Sequence, residues 1–144
     1  MNKYLKIFLI VAIVGIVAGS VAVYYIFNIP ARDVENEKPA FTLEAANLYN
    51  DFNNDEEAAN LKYGDQIIQV KGSVVEKSVE GYQVSITLND EMEGVNCALD
   101  SITYVNNKEL IDNLLSGDNI TLKGKCDGFD MIMGVVLTRC FVIN

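Results

Sequence analysis

The chain has 144 residues, half of them hydrophobic, with 20 acidic and 11 basic residues, no histidine and no tryptophan, and a net charge of −9. The lack of histidine removes His-dependent triads, His-bearing metal sites and the usual general base near neutral pH. An acidic chain repels polyanions, so the composition argues against nucleic acid as a partner unless its lysines converge on one face.

From Ile7 to Phe27 the sequence carries no charge and, outside its tyrosines, a single hydroxyl, Ser20. At ~1.5 Å per residue such a run makes a helix of roughly 30 Å, the thickness of a bilayer's hydrocarbon core. We read residues 1–29 as a transmembrane anchor. The competing reading is a cleaved secretory signal, whose apolar core usually spans ~7–15 residues and closes on a small-x-small site. This run is longer and offers only Ser20-Val21-Ala22, while acylation is excluded because the first cysteine is Cys97. Lys3 and Lys6 favour a cytoplasmic N-terminus over the side bearing Arg32 and Lys38, which puts the remaining chain outside the cytoplasm of a single-pass cell-membrane protein. Gly15-Ile16-Val17-Ala18-Gly19 is a helix-pairing match, set against plain monomeric anchoring.

Residues 30–40 contain both prolines of the chain, are polar and aperiodic, and read as an extended, mobile tether. Residues 41–144 are expected to form one domain. Without Lys3 and Lys6, residues 31–144 hold nine basic against twenty acidic residues, a charge of −11 whose plain reading is solubility. Phe41, Ala45, Leu48, Tyr49 and Phe52 share one helical stripe, with Thr42 as cap. A second helix is predicted from Asp55 to Lys62, capped by Asn54 and stopped by Gly64, with Asp55, Glu56 and Glu57 at its positive end. Consecutive helical residues point about 100° apart, so these three acids read as a solvated first turn and not as a metal site.

After Gly64 the period becomes two. Ile68, Val70, Gly72 and Val74 alternate with polar residues, as do Tyr82, Val84, Ile86 and Leu88, with a turn at 77–81. Val95 to Leu99 is a third strand, followed by a helix from Asn107 to Leu115 and two strands, Ile120 to Cys126 and Val135 to Val142, joined around 127–130. Three strands, a helix and two strands, with Gly72 and Gly124 inside strands, is the order of a five-stranded OB-fold barrel, here all-β dominated with flanking helices.

The sequence Asp55-Glu56-Glu57-Ala58-Ala59-Asn60 followed by Lys62-Tyr63, with Val70-Lys71-Gly72, Val95-Asn96-Cys97, Leu122-Lys123-Gly124 and Cys140, resembles the bacterial tRNA_anti-like OB-fold proteins over roughly Leu43 to Ile143. The resemblance implies an exported or membrane-linked protein; the family name records a likeness to anticodon-binding domains and does not establish tRNA binding. Cys126 is an addition to the pattern.

Three cysteines outside a reducing compartment read as one disulfide and one spare thiol, against three buried free thiols. In an OB barrel the third strand runs beside the fifth, which makes Cys97 and Cys140 the candidate pair, whereas Cys126 lies near the hairpin turn. No glycine-rich phosphate loop, Cys-x-x-Cys pair or G-x-S-x-G turn is present, so no catalytic residue, metal or cofactor is assigned and no enzyme activity is expected. The loops with Asp90, Glu91 and Glu93 and with Asp127 and Asp130 lack EF-hand spacing and read as ordinary exposed turns. Asn119-Ile120-Thr121 matches a glycosylation sequon but opens a strand.

OB barrels bind ligands on the face of strands two and three. Tyr82, Gln83, Ser85, Thr87 and Asn96 would line or border it, although Tyr82 shares parity with core positions. The expectation is therefore a non-catalytic, membrane-anchored OB-fold module that binds an envelope protein or small ligand. The alternative is a nucleic-acid-binding OB module, recognisable by lysines such as Lys62, Lys71, Lys123 and Lys125 clustering on one face. A third reading is structural assembly through the span and the 41–52 helix.

Overall fold

The computed structural model describes residues 2–29 and 32–143; Pro30 and Ala31 of the expected tether lie outside the described residues. The chain divides into two units, with the boundary after Arg32.

The first unit is a single helix, α1 (Lys3–Phe27), which contains the whole predicted span and buries none of its residues within the structure. Its length and hydropathy suffice to cross a membrane. The one hydroxyl inside the apolar run is satisfied locally, since Ser20 Oγ donates to the Ile16 carbonyl at 2.8 Å. Asn28 closes the helix by donating its side-chain and backbone N–H groups to the Tyr24 carbonyl.

In the second unit the elements run β1 (Phe41–Glu44), α2 (Ala45–Asn54), α3 (Glu56–Tyr63), β2 (Ile67–Glu80), β3 (Gln83–Leu88), β4 (Val95–Leu99), α4 (Ser101–Asn106), α5 (Lys108–Asn113), β5 (Asn119–Asp130) and β6 (Gly134–Val142). The sheet order is β1-β2-β3-β4-β6-β5, and β2 also pairs with β5, which closes a five-stranded barrel with the expected OB connectivity. Closure depends on the length of β2. Its first half pairs with β5 (Ile67↔Lys125 to Ser73↔Asn119) and its second half with β3 (Val74↔Leu88 to Glu80↔Gln83), with a register shift between Val74 and Glu76.

That division of β2 explains a correction to the sequence reading. Where β3 does not reach, the flank of β2 is open, and Phe41 to Glu44 fill it as a parallel strand instead of starting a helix. The helix begins at Ala45 with Glu44 as its N-terminal flank, so Thr42 is a strand residue and caps nothing. Ala45, Leu48 and Phe52 on α2 are buried as predicted, and α2 packs against β1, β2, β4 and β6. Gly72 lies under this crossing: a Cβ there would stand 3.1 Å from both the Ala45 and Leu88 Cβ atoms.

Further boundaries move for local reasons. Asp55, not Asn54, caps α3 by accepting from the Ala58 amide. The β2–β3 turn tightens to Gly81-Tyr82, with Gly81 at φ +64°, and the last hairpin turns at 131–133 instead of 127–130. The expected 107–115 helix is α5, preceded by the short α4 whose cap, Asp100, accepts from Thr103 N. Lys77 crosses to α5 and donates to the carbonyls of Ile111, Asp112 and Leu114 at 2.8–3.0 Å, neutralising the C-terminal end of the helix.

The folded unit also begins earlier than residue 41. Val34 is 2% exposed, Asn36 is held by Asp33, and the ammonium of Lys123 donates to the carbonyls of Glu35 at 2.5 Å and Glu37 at 3.1 Å. From Asp33 to Ala40, therefore, the sequence read as mobile tether is seated on the barrel, and the Ala40 amide already bonds Ile67.

Candidate functional site

Strand pairing decides which side chains share the outer face of β2, β3 and β4. The paired residues Glu76↔Thr87, Ser78↔Ser85, Glu80↔Gln83, Ser85↔Ala98 and Thr87↔Asn96 point away from the core, in which Val84, Ile86, Leu88, Cys97 and Leu99 are buried. Ser85, Thr87 and Asn96 form a chain: Ser85 Oγ donates to Asn96 Oδ1 at 3.1 Å, and Asn96 Nδ2 donates to Thr87 Oγ1 at 3.3 Å. A shallow depression lies beside this chain, lined by Ser78, Glu80, Gln83, Ser85 and Ala98. The structure thus brings together the predicted Gln83, Ser85, Thr87 and Asn96, of which Gln83 is exposed, Ser85 and Asn96 are half-buried and Thr87 is buried. Tyr82 is not core; it stands 67% exposed in the turn at the edge of the face, next to the exposed Ile102 and Val105 of α4.

Of the four candidate lysines only Lys71 is exposed on β2, in the half of the strand that pairs with Glu44 of β1 and Thr121 of β5 and outside the β3-paired half; the other three are engaged elsewhere. Lys125 is held between Asp127 at 2.7 Å and Asp65 at 3.1 Å, and its hydrogen bonds to those two carboxylates raise its pKa. Lys123 is buried under residues 35–37. Lys62 lies over the rings of Tyr63 and Phe41 and 3.5 Å from Asp51, while Lys108 pairs with Asp112 one helical turn on. What borders the face is acidic: Glu76 and Glu80 on it, and Asp90, Glu91 and Glu93 in the β3–β4 turn.

The resemblance-bearing element 55–63 has a structural job. Asp55 caps α3, Ala59 and Tyr63 are buried, and the Tyr63 phenol donates to Asp51 at 2.5 Å. Tyr63 and Phe41 meet edge to face at 5.0 Å, and Phe52 stacks on Phe129 at 6.4 Å, which fastens the two N-terminal helices to the barrel. Among the described residues no three acidic or cysteine side chains gather as a metal site.

Cys97, Cys126 and Cys140 are buried free thiols, so the expected 97–140 bridge is not formed in this structure. Cys97 and Cys140 nevertheless lie on paired strands, and burial, then the neighbouring Cys97 thiol, push the Cys140 pKa well up. The Cys140 sulfur lies over Gly124, where a Cβ would stand 2.5 Å from it. Cys126 sits across from Leu137 on β6, and burial raises its pKa to about 11.

The barrel's rim carries a feature that a hairpin turning at 127–130 hides, because β5 runs on to Asp130. Met131, Ile132 and Met133 occupy its tip, 90%, 79% and 45% exposed, and Met92 in the β3–β4 turn is 70% exposed. Three consecutive apolar residues between Asp130 and Gly134 were the available signal.

The tRNA_anti-like family profile matches residues 1–142. A search of curated proteins finds no match. Among solved structures, a "putative nucleic acid-binding lipoprotein" from Klebsiella pneumoniae is similar over 80% of this chain and 99% of its own, at 17% identity and a TM-score of 0.55. An OBody bound to hen egg-white lysozyme matches 58% of this chain and 86% of its own, at 18% identity and a TM-score of 0.44. A "putative aspartyl-tRNA synthetase" from Leishmania major matches 79% of this chain and 22% of its own, at 10% identity and a TM-score of 0.48. The Klebsiella likeness shows a shared fold, and with the family match over nearly the full length the conclusion is direct: the chain belongs to the tRNA_anti-like family.

Proposed function

We propose that this protein is a non-catalytic OB-fold binding module, anchored by α1 with its N-terminus in the cytoplasm and its barrel in the cell envelope, whose ligand is a protein or small molecule. The observation that carries this reading is the outer face of β2, β3 and β4. It has two glutamates, a hydrogen-bonded polar chain, and no lysine or aromatic ring among its outward pairs; Lys77, paired with Ile86, reaches instead to the end of α5. Single-strand binders rely on base stacking and a basic groove. Here Lys62, Lys123 and Lys125 are engaged elsewhere, Lys71 stands on β2 opposite Glu44 of β1, and the bordering turn adds three acids. The anchor rests on the length and apolarity of α1, and the orientation on Lys3 and Lys6.

The competing reading is nucleic-acid binding, which the Klebsiella protein's name states of that protein. Titration of the full chain in zwitterionic lipid nanodiscs with labelled single-stranded RNA, single-stranded DNA and tRNA at low salt separates the two. The proposal expects no binding above empty discs. Binding that weakens steeply with salt would transfer the assignment to the alternative. Protease added outside intact cells should cleave the barrel; its protection would reverse the orientation.

A further inference from the structure

The β3–β4 and β5–β6 turns are built alike: Asp90-Glu91-Met92-Glu93-Gly94 and Asp130-Met131-Ile132-Met133-Gly134. In each, the first aspartate accepts from the amides two and three residues on: Asp90 from Met92 and Glu93 at 2.9 and 3.0 Å, Asp130 from Ile132 and Met133 at 2.7 and 3.1 Å. Their closing glycines abut, with the Val135 amide donating to the Gly94 carbonyl at 3.1 Å. Two turns joined at the base therefore present Met92, Met131, Ile132 and Met133 at one end of the barrel, all exposed, with Asp90, Glu91, Glu93 and Asp130 in the same two turns.

Exposed apolar side chains on turn tips cost solubility unless something covers them. The surroundings select what can. No lysine or arginine occurs in residues 89–99 or 128–137, nor in α2, whose Tyr49 and Phe52 pack on Phe129 at the foot of the second turn. A second copy would set acid against acid, and an anionic lipid surface or a nucleic acid would be repelled. A partner that is apolar on one side and basic around it satisfies both features, and methionine's flexible thioether adapts to the contour of such a surface.

We infer that the paired turns are a docking site for a basic amphipathic segment of a partner protein, with Met92, Met131 and Ile132 covered by its apolar side and Glu91 and Glu93 facing its cations. This rests on the binding role proposed above and adds to the outer face a second place of contact, with the chemistry of the partner segment that would fill it.

The test uses the full chain in zwitterionic nanodiscs and two labelled helical probes, a Lys/Leu amphipathic peptide and its Glu/Leu counterpart, with empty discs subtracted. The Lys/Leu peptide binds and the Glu/Leu peptide does not. The double substitution Met131→Ser, Ile132→Ser weakens binding about tenfold or more, as expected for uncovering two large apolar side chains. Glu91→Lys with Glu93→Lys weakens it and flattens its salt dependence, whereas Leu61→Ala at the exposed surface of α3 leaves it unchanged. Binding no better than to empty discs, or equal binding by the Met131/Ile132 variant, overturns the site. So does a dimer that this variant dissolves in light scattering, which would give the patch to a second copy. None of these outcomes touches the nucleic-acid titration, on which the broader binding role is judged separately.

Discussion

Gly134 approaches Gly94 so closely that a Cβ on Gly134 would stand 2.3 Å from the Gly94 carbonyl oxygen. Gly134 also has φ +73°, a left-handed conformation. Gly134→Ala should therefore cost the ~1–2 kcal/mol of left-handed backbone and, in addition, the displacement of a carbonyl that belongs to the neighbouring turn. Gly81 is the control, with φ +64° but open space where its Cβ would go. Urea denaturation of the full chain in detergent should show Gly134→Ala losing clearly more than Gly81→Ala; equal losses would mean that the two turns are not braced against each other.

Lys123 is 7% exposed and joins the 33–37 segment to β5 through two backbone carbonyls. Lys123→Met keeps the apolar stem and removes the donor. The loss of charge-assisted bonds is expected to lower stability by about 1.5–3 kcal/mol. Hydrogen exchange at residues 33–37 should accelerate selectively, because the segment then loses both of its bonds to the Lys123 ammonium. Unchanged exchange there would show the segment to be held by Val34 alone.

Asp90 has its pKa below the ordinary 3.8, because the Met92 amide and then the Glu93 amide bond its charged form. A carboxylate depressed on folding contributes stability above its unfolded value, and that contribution is lost as pH falls through the lower folded value. The amide signals of Met92 and Glu93, followed by NMR, should shift together with a midpoint below 3.8. A midpoint at or above that value would mean that the turn is not organised by Asp90.

Cys97 and Cys140 are buried neighbours on the paired strands β4 and β6, while Cys126 stands across from Leu137. With burial raising the pKa of Cys126 to about 11 and that of Cys140 well up, the folded reduced protein should resist alkylation at mildly alkaline pH. After mild oxidation, alkylation under denaturation is expected to label one thiol, Cys126, and the peptides containing Cys97 and Cys140 should be linked. Three labelled thiols would rule the pairing out; labelled Cys140 with Cys126 linked would contradict the geometry.

Much of the barrel was legible because alternation in Ile68–Val74, Val84–Leu88 and Val95–Leu99 has one physical meaning when a single face is buried. Phe41 to Glu44 was not, since four residues with Phe41 and Leu43 fit the head of a helical stripe as well as a strand, and only the open flank of β2 decides between them. The short α4 was hidden by its β-branched Ile102, Thr103 and Val105, which carry little helical propensity. Of the candidate face, Gln83, Ser85, Thr87 and Asn96 were readable from parity alone, but Tyr82 was not, because the turn that breaks its parity with Val84 is set by Gly81. Likewise, Met131 to Met133 were invisible as a surface until the length of β5 moved the turn onto them.

The most direct test of the central claim is photo-crosslinking in intact cells from a photoreactive residue placed at Gln83 on the outer face, compared with one at the exposed Leu61 on α3. The account predicts a discrete, nuclease-resistant protein adduct from Gln83 that is absent from Leu61. A nuclease-sensitive adduct, or capture of tRNA and ribosomal material, would contradict both the proposed ligand class and the envelope location.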